Sequence, residues 1–485
     1  MNKLVNALTN LTTTENGALT LKNTGHSVLD FFSKSGSLRN SNLNVIELFE
    51  NALKENPELA LKALFYSRDC RGGQGERNLF RTLIKWLAAS PKYYKYVKSN
   101  IDNIAKFGRY DDLYVLFDTP IEKDVLEYIS KEIEKDVVAL GEDSNAKVSL
   151  LAKWLPSSNT SSAVTRSYAR KIYKALGLSE KEYRKMLSHI RAQLKVVEKD
   201  MSAKNFSEID YSGVPSRAAM IYRNAFKNRD GVRYGEFLED VASGKKTIKS
   251  STLYPYEIVE KFMNGYGADA TLEAQWSALP DYLKDNPHNA IVVADVSASM
   301  SGRPMTIAIS LAIYLAERTK GAFKDYFITF HETPQMLQLK GSNLQEKVKN
   351  VQKAPWGGST NLQSVFDLIL NRGVQYKVPQ SEMPDVIYIP SDMEFNQACR
   401  SNNKTNLEVI REKYEKAGYV MPKLVFWNCD ARGENSPAMY NEDGVFLVSG
   451  ASPSIFKTAL TQEIKTPVDL MLDILNSERY ESVRV

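Results

Sequence analysis

The chain has 485 residues, of which 43% are hydrophobic and 25% are charged, and its formal net charge at pH 7 is +5. These values exclude wholesale disorder and favour two or three domains. The three cysteines, Cys70, Cys399 and Cys429, lie far apart. This spacing excludes a disulfide framework and a zinc knuckle and indicates a reducing compartment. The longest apolar stretch, residues 306–316, is too short to cross a bilayer, so we expect a cytoplasmic protein without membrane contact.

Residues 1–40 form an N-terminal arm whose structure the sequence predicts poorly. From residue 41 to 285, apolar residues recur at intervals of three and four, as in residues 44–70 and 180–201. This spacing is typical of amphipathic helices. No repeat of fixed length is present, so the sequence predicts an irregular, HEAT-like array of helices over residues 41–285.

After Pro280 the pattern changes, because short apolar runs begin to alternate with helical segments. The runs are AIVVADV, YFITF, DVIYIP, KLVFWNC and GVFLVSG. Continuous apolar runs are typical of strands that are buried on both faces. Their alternation with helices predicts a doubly wound, mostly parallel sheet, which is a Rossmann-like α/β domain over residues 286–485.

Oxygen-bearing side chains stand where two of these strands end and on one glycine-rich loop. Asp295, Ser297 and Ser299 follow the first strand, Asp392 follows the strand DVIYIP, and Thr360 lies in the loop WGGSTNL. Ligands gather at the carboxyl ends of parallel strands, and oxygen donors suit a hard cation. The sequence therefore predicts a site for Mg²⁺, with Mn²⁺ or Ca²⁺ as alternatives. A polar loop, or a Rossmann-like domain that binds no metal, would also account for these residues.

The same residues resemble the metal-ion-dependent adhesion site of von Willebrand factor A domains. The family motif D-x-S-x-S matches Asp295, Ser297 and Ser299, the loop threonine matches Thr360, and the strand-end aspartate matches Asp392. The resemblance implies that the hydroxyls bind the metal directly and that the acids often act through water. It also implies that the open coordination position accepts a carboxylate from a protein partner. The family commonly has glycine after the strand-end aspartate, where this chain has Met393, so the shape of that loop is left open.

The positive charge of the chain is concentrated between residues 165 and 250. This window holds nineteen basic and ten acidic residues, and tyrosines such as Tyr168, Tyr173, Tyr183, Tyr222 and Tyr234 are interleaved with them. A basic surface with aromatic side chains suits phosphate backbones and unstacked bases. The alternative is a set of solvated helix faces with the tyrosines packed between helices.

Three phrases resemble the helical-repeat (TROVE) module of Ro ribonucleoproteins, namely residues 71–77, 108–113 and 153–156. They are closer to an uncharacterised family, found in cells and viruses, that joins this module to a von Willebrand factor A domain. The resemblance implies HEAT-like helix pairs that bind structured RNA or single-stranded RNA ends. The candidate RNA-binding residues are Arg71, Arg77, Lys171, Lys174, Arg184, Lys185 and Arg191.

Motifs for catalysis are weak. His331 follows a strand but belongs to no catalytic pattern, and the chain has neither a nucleophile elbow nor a phosphate-binding P-loop. A metal-dependent phosphotransferase with Asp295 as nucleophile would need a second acid at the position of Ser297. We therefore expect no enzyme. The leading hypothesis is a Ro-like RNA-binding protein whose A domain docks a partner through a metal and a carboxylate. The alternative is a protein-only scaffold or structural assembly component with no RNA role.

Overall fold

The three-dimensional structure is a computed structural model that describes residues 9–40, 43–144, 146–194, 196–265, 267–285, 288–330, 333–355, 360–396, 404–455 and 465–485. These residues form two compact units. The α/β unit consists of the described residues within 1–63, 72–74 and 211–477. The helical unit consists of those within 64–71, 75–210 and 478–485.

Helices dominate the first 280 residues, as the apolar spacing predicts. Up to residue 142 the α-helices are α1 (Ser27–Lys34), α2 (Val45–Glu55), α3 (Pro57–Arg68), α4 (Arg77–Ala89), α5 (Tyr94–Lys98), α6 (Ile101–Phe107) and α7 (Glu122–Glu142). They are followed by α8 (Leu151–Trp154), α9 (Ala163–Ala175), α10 (Glu180–Gln193), α11 (Val197–Ser202), α12 (Ser216–Arg229), α13 (Gly231–Ala242), α14 (Pro255–Met263) and α15 (Ala270–Ser277). None of the helices in the described ranges is both long enough and apolar enough to span a bilayer.

A six-stranded sheet forms the centre of the α/β unit. Its strands are β3 (Ala290–Ala294), β4 (Tyr326–Thr329), β5 (Met336–Gln338), β6 (Val386–Ser391), β7 (Lys423–Asn428) and β8 (Val445–Ser449). Their order is β5-β4-β3-β6-β7-β8, and every pair is parallel except β4 with β5. The helices α16 (Arg303–Arg318), α17 (Leu344–Gln352), α18 (Leu362–Gln375), α19 (Asn406–Ala417) and α20 (Pro467–Leu475) alternate with these strands or follow them.

The sequence prediction of a helical part followed by a mostly parallel sheet is confirmed. All five predicted apolar runs are strands, and β3 and β6 are buried along their whole length, which is why these runs lack polar alternation. The sequence prediction missed β5, an antiparallel edge strand of three residues. It also missed a hairpin in the N-terminal arm, formed by β1 (Leu11–Thr13) and β2 (Leu19–Leu21). We call residues 14–18 of this hairpin the hairpin tip.

The helices after Tyr211 belong to the α/β unit. The indole nitrogen of Trp276 donates a hydrogen bond of 2.8 Å to Glu317, and the Tyr314 hydroxyl donates one of 2.6 Å to the Pro280 carbonyl. These contacts join α15 and the following loop to α16, in agreement with the limit of the two compact units at residues 210–211. The predicted limits, 41–285 and 286–485, remain predictions about modules of the sequence.

The last eight residues of the chain pack in the helical unit. Asp69 is fully buried and accepts hydrogen bonds from Arg479 Nη2, at 2.7 Å, and from the Tyr480 hydroxyl, at 3.0 Å. Asn103 Nδ2 donates to the Ser482 carbonyl at 2.7 Å. The C-terminal segment is thus part of the helical core rather than an addition to the sheet.

The GRYDDL phrase, residues 108–113, is a structural element of the helical unit. Asp112 is completely buried and accepts hydrogen bonds from Arg68 Nε at 2.7 Å, from Arg81 Nε at 2.6 Å and from the Arg109 backbone N–H at 3.0 Å. A side chain at position 108 would not fit, because a Cβ on Gly108 would lie 2.4 Å from Asp112 Oδ2. One buried carboxylate therefore joins α3, α4 and the start of a short 3₁₀ helix.

Candidate metal centre

The predicted metal site lies at the carboxyl ends of β3 and β6, which are neighbouring parallel strands. The connection after β3 leads through α16 to β4 on one side, and β6 lies on the other side. Such a reversal of strand order leaves a crevice at the edge of the sheet, where α/β proteins bind ligands. The fold thus places Asp295 and Asp392 at the same rim.

Asp295 is fully buried at this rim. One carboxylate oxygen accepts a hydrogen bond of 3.0 Å from the backbone N–H of Ser297, and the other accepts one of 2.6 Å from the Ser391 hydroxyl. Burial, and next the negative charge of Asp392, raise the pKa of Asp295 to about 6. Two neighbouring buried carboxylates repel each other, and a divalent cation would relieve that repulsion.

The serines of the first motif face each other. The hydroxyl oxygens of Ser297 and Ser299 lie 2.9 Å apart, so the turn after β3 brings the alternate hydroxyls together as the motif predicts. Ser297 is 8% exposed. Two adjacent hydroxyls beside a buried carboxylate are the kind of oxygen donors that Mg²⁺ accepts.

Asp392 supplies the observation that best fits a metal ligand. Its Oδ1 accepts a hydrogen bond of 3.1 Å from the Glu394 backbone N–H, whereas its buried Oδ2 has no hydrogen-bond partner among the described residues. The nearest cationic atom to Oδ2 is Arg432 Nε at 3.8 Å, which is beyond hydrogen-bonding range. A buried carboxylate oxygen is rarely left without a partner, so this atom fits a metal or a metal-bound water.

Thr360 is buried but contacts a different part of the rim. Its hydroxyl lies 3.0 Å from the Glu394 carbonyl oxygen and 2.7 Å from Asn396 Oδ1, both on the loop after β6. In the described ranges it makes no hydrogen bond to Ser297 or Ser299. The structure therefore joins Thr360 to the Asp392 loop, while the residues just before it, 356–359, lie outside the described part of the chain.

Met393, which stands where the related family commonly has glycine, keeps a glycine-like backbone. Its φ is +67°, in the left-handed region, and its side chain is 4% exposed in a cluster with Phe395 and Phe426. A non-glycine residue there costs about 1 kcal/mol. Burial of the methionine side chain offsets that cost.

Two substitutions separate the cost of the left-handed backbone at Met393 from the stabilisation by its buried side chain. We expect Met393→Gly to lower the free energy of unfolding by about 2–4 kcal/mol because the buried side chain is lost. Met393→Ala should be about 1 kcal/mol less stable than Met393→Gly, since alanine loses the side chain and retains the strained φ. Urea denaturation of both variants measures the order. An alanine variant that is more stable than the glycine variant would contradict the left-handed geometry.

The sequence prediction missed several residues of the rim. Asp430 follows β7, and Arg432 Nε lies 3.6 Å from its Oδ2, while Arg432 Nη2 donates to the Ser299 carbonyl. Glu394 is buried, and burial raises its pKa although the Glu15 backbone N–H and the Asn435 side chain donate to it. Asp430 could have been found from the sequence, because β7 is also a predicted strand and this acid lies two residues after its end.

The donor set at the rim is one of carboxylates and hydroxyls. In the described part of the chain, no group of three or more His, Cys, Asp or Glu side chains is placed to hold a metal. A metal at this rim would therefore need the serine hydroxyls together with Asp295 and Asp392, and these residues fit a hard cation that keeps several waters. His331 and Cys399 lie outside the described residues.

The candidate RNA-binding residues in the helical unit fall into two groups. Lys171 pairs with Asp118 and Glu122, and Arg191 donates to the carbonyls of Ala152 and Leu155. Arg71 donates a hydrogen bond to a backbone carbonyl. Burial lowers the pKa of Arg77, and the positive charge of neighbouring arginines lowers it further. The second group consists of Lys174, Arg184 and Lys185, which are exposed and form no ion pair with any described residue.

The interleaved tyrosines are packed between helices. Tyr183 is buried and donates to the Pro156 carbonyl at 2.9 Å, and its ring centre lies 6.0 Å from that of Tyr173. Tyr168 packs against Tyr114 and Phe117. The packing alternative holds for Tyr183, which is buried, whereas Tyr168 and Tyr173 are half-buried beside their aromatic neighbours.

Fold and site together define a helical protein joined to an α/β unit with a candidate metal centre at the edge of its sheet. The family described as "Domain of unknown function (DUF2828)" matches residues 14–106 and 116–288, and the family described as "Domain of unknown function (DUF7788)" matches residues 289–481. The chain belongs to the DUF2828 family. Neither description names a von Willebrand factor A domain, which therefore stays a prediction.

A viral protein is similar over nearly the whole chain. "Uncharacterized protein L728" of Acanthamoeba polyphaga mimivirus is 33% identical over 509 residues, covering 96% of this chain and 88% of that protein. Among solved structures, the Ro (RSR) protein of Deinococcus radiodurans is similar with a TM-score of 0.49 and 14% identity, covering 91% of this chain and 100% of that one. The function proposed below does not depend on the latter similarity.

Proposed function

We propose that this chain is a docking protein whose α/β unit, of the von Willebrand factor A type, binds Mg²⁺ and through it the carboxylate of a protein partner. The observation that carries this proposal is the buried Asp392 Oδ2, which lacks a hydrogen-bond partner among the described residues and belongs to the same rim as Asp295. The metal, when bound, supplies an open coordination position for an oxygen ligand. Asp295, Ser297, Ser299 and Asp392 would hold it, and Thr360 would support the loop after β6.

The proposal assigns binding, and no catalytic step, to this rim. A phosphotransferase with Asp295 as nucleophile would need a second acid two residues further on, and the chain has Ser297 at that position, with its hydroxyl beside that of Ser299. Calorimetric titration of the metal-free protein with Mg²⁺, and with Mn²⁺ and Ca²⁺, tests the site directly. Saturable binding of one ion per chain is the expected result, and an absence of binding for all three ions would overturn the proposal.

We propose RNA binding as a second function, in the helical unit. The observation that favours it is the exposed charge of Lys174, Arg184 and Lys185 on α9 and α10, with Glu182 as an acidic neighbour of Lys185. Free cations on a surface attract phosphate backbones, because neutralising the phosphates releases condensed counterions. The competing function is a scaffold that binds protein only.

Neutralising the free cations should weaken RNA binding. The triple variant Lys174→Gln, Arg184→Gln and Lys185→Gln is expected to bind a generic structured RNA about tenfold more weakly at low salt, with a salt slope smaller by about 2–3. Filter binding across a salt series provides both numbers. The matched control is Lys171→Gln, which removes a lysine already paired with Asp118 and Glu122. Salt-independent binding, or none at low salt, would favour the scaffold.

A further inference from the structure

The hairpin tip lies on the loop that carries Asp392. The Thr14 hydroxyl donates a hydrogen bond of 2.6 Å to the Phe395 carbonyl, and the Glu15 backbone N–H donates one of 2.6 Å to Glu394 Oε2. Asn16 Nδ2 donates to the Glu394 carbonyl, also at 2.6 Å. Three consecutive residues of the N-terminal arm are thus fixed to the loop that follows β6.

The side chain of Glu15 reaches the mouth of the candidate metal centre. Its Oε2 lies 3.8 Å from Arg432 Nη1, and Nε of the same guanidinium lies 3.8 Å from Asp392 Oδ2. The third nitrogen, Nη2, donates to the carbonyl of Ser299. One guanidinium therefore lies between the Glu15 carboxylate and both motifs of the site.

These contacts are accessible to water and can be exchanged. The side chains of Glu15 and Arg432 are 59% and 34% exposed, so their attraction is modest and screened by salt. Asn16 is exposed as well. Residues 15–17 of the tip are exposed and can leave the rim, whereas Thr14 and Ala18 are buried. The Thr14 hydroxyl accepts a hydrogen bond of 2.9 Å from the Ala18 N–H and so maintains the turn itself.

We propose that the hairpin tip is an internal occupant of the docking surface, which an acidic peptide of a partner must displace before its own carboxylate reaches the metal. This inference rests on the proposed docking function and names the chemistry of the partner. The tip presents a carboxylate flanked by a hydroxyl and an amide, so the partner segment is an acidic turn with hydrogen-bond donors beside the acid. Arg432 pairs with Glu15 while the tip is in place and flanks the metal-bound carboxylate of the partner once the tip is displaced.

A tethered occupant competes strongly with a free one. A segment joined to its site by a short connection acts at an effective concentration in the millimolar range. A partner peptide of similar chemistry therefore binds weakly until the tip is released. Releasing the tip should strengthen partner binding without any new contact.

The test uses the full chain and a peptide of its own sequence. The release variant combines Glu15→Gln with Asn16→Ala, which removes the carboxylate and one hydrogen bond while keeping the buried Thr14. The probe is a fluorescein-labelled synthetic peptide of residues 9–24, cyclised to favour the turn. In magnesium buffer, fluorescence anisotropy should show binding to the release variant about tenfold tighter than to the wild type, since each removed contact contributes severalfold.

Two controls make the result specific. Glu236→Gln changes an exposed glutamate on α13 and should bind the probe as the wild type does. A second probe that carries Glu15→Gln should bind the release variant severalfold more weakly than the first. Equal affinities of the two proteins for the probe, or of the two probes for the release variant, would overturn the inference.

Failure of the inference is distinguishable from failure of the proposed function. Mg²⁺ titration of the wild type and the release variant measures the metal centre independently of the peptide. Normal Mg²⁺ binding with unchanged peptide affinity overturns the internal occupant alone. Absence of Mg²⁺ binding overturns the docking function, on which the inference rests.

Discussion

Replacing Asp295 with asparagine is expected to weaken Mg²⁺ binding by about a hundredfold while the protein stays folded. Asp295 is fully buried, and its two oxygens accept hydrogen bonds from Ser297 and Ser391 that an amide of the same shape can largely retain. The substitution removes the negative charge that a divalent cation needs, and loss of an acid that orients a metal or its waters costs about 10–100-fold in affinity. Calorimetric titration of both proteins with Mg²⁺ measures the loss.

The matched control for this variant is Asp385→Asn. Asp385 precedes β6 and accepts a hydrogen bond from the Asn289 backbone N–H, so it lies at the opposite end of the same strand from Asp392. Its substitution should leave Mg²⁺ affinity unchanged. Undiminished binding by Asp295→Asn would mean that the metal, if bound, lies elsewhere in the molecule.

Asp295→Asn should also raise the free energy of unfolding of the metal-free protein. Burial and the charge of Asp392 raise the pKa of Asp295 from 3.8 to about 6, so ionising this group at pH 7 costs folding free energy. A neutral amide avoids that cost, and we expect a gain on the order of 1 kcal/mol in urea denaturation without metal. Lower stability together with weaker Mg²⁺ binding would indicate that Asp295 has a structural role instead.

The second large effect is expected at Asp112 in the helical unit. Asp112→Ala removes the carboxylate that accepts hydrogen bonds from both Arg68 and Arg81 in the buried network described above, and Arg68 is 3% exposed. A buried guanidinium left without its carboxylate typically costs 3–5 kcal/mol. We expect a loss of about that size in the free energy of unfolding of the helical unit. Hydrogen exchange at the amides of α4 and α6 localises the loss to that unit.

Asp111→Ala provides the comparison, because it removes the neighbouring acid. Asp111 pairs with Arg81 and Arg109, but its side chain is 20% exposed and water replaces part of the lost interaction. Its substitution should cost about 1 kcal/mol. Equal losses for the two variants would contradict the view that the buried position of Asp112, and not ion pairing as such, controls the stability.

The sheet was predictable because its strands are buried on both faces. β3 is apolar at every position and β6 at every position except Ser391, so neither run shows the alternation of apolar and polar residues that a half-exposed strand has. The edge strand β5 has the burial pattern exposed, intermediate, exposed, and its three residues carry no such signal. Short edge strands depend on a neighbour for their hydrogen bonds, here β4, and local sequence does not record that neighbour.

Half of the candidate centre was predictable for a similar reason. Asp295, Ser297, Ser299 and Asp392 follow strands, and parallel strands deliver their ends to one rim. Arg432 and Glu15 follow no such rule, because their positions depend on a loop after β7 and on the hairpin tip. The candidate RNA-binding residues show the same limit, since only contacts distinguish the paired Lys171 from the exposed Lys174.

The sequence by itself determined the succession of helices and strands, the parallel sheet and the carboxylates and hydroxyls at its rim. These features follow from the apolar spacing within each short segment and from the fact that parallel strands end at the same edge of a sheet. Only the tertiary structure decided that the N-terminal arm reaches the rim and that the C-terminal segment completes the helical unit. Such contacts join residues some 380 to 410 positions apart, as in Glu15 with Glu394 and Arg479 with Asp69. Their partners are selected by packing and hydrogen bonding across the fold, which no local pattern encodes.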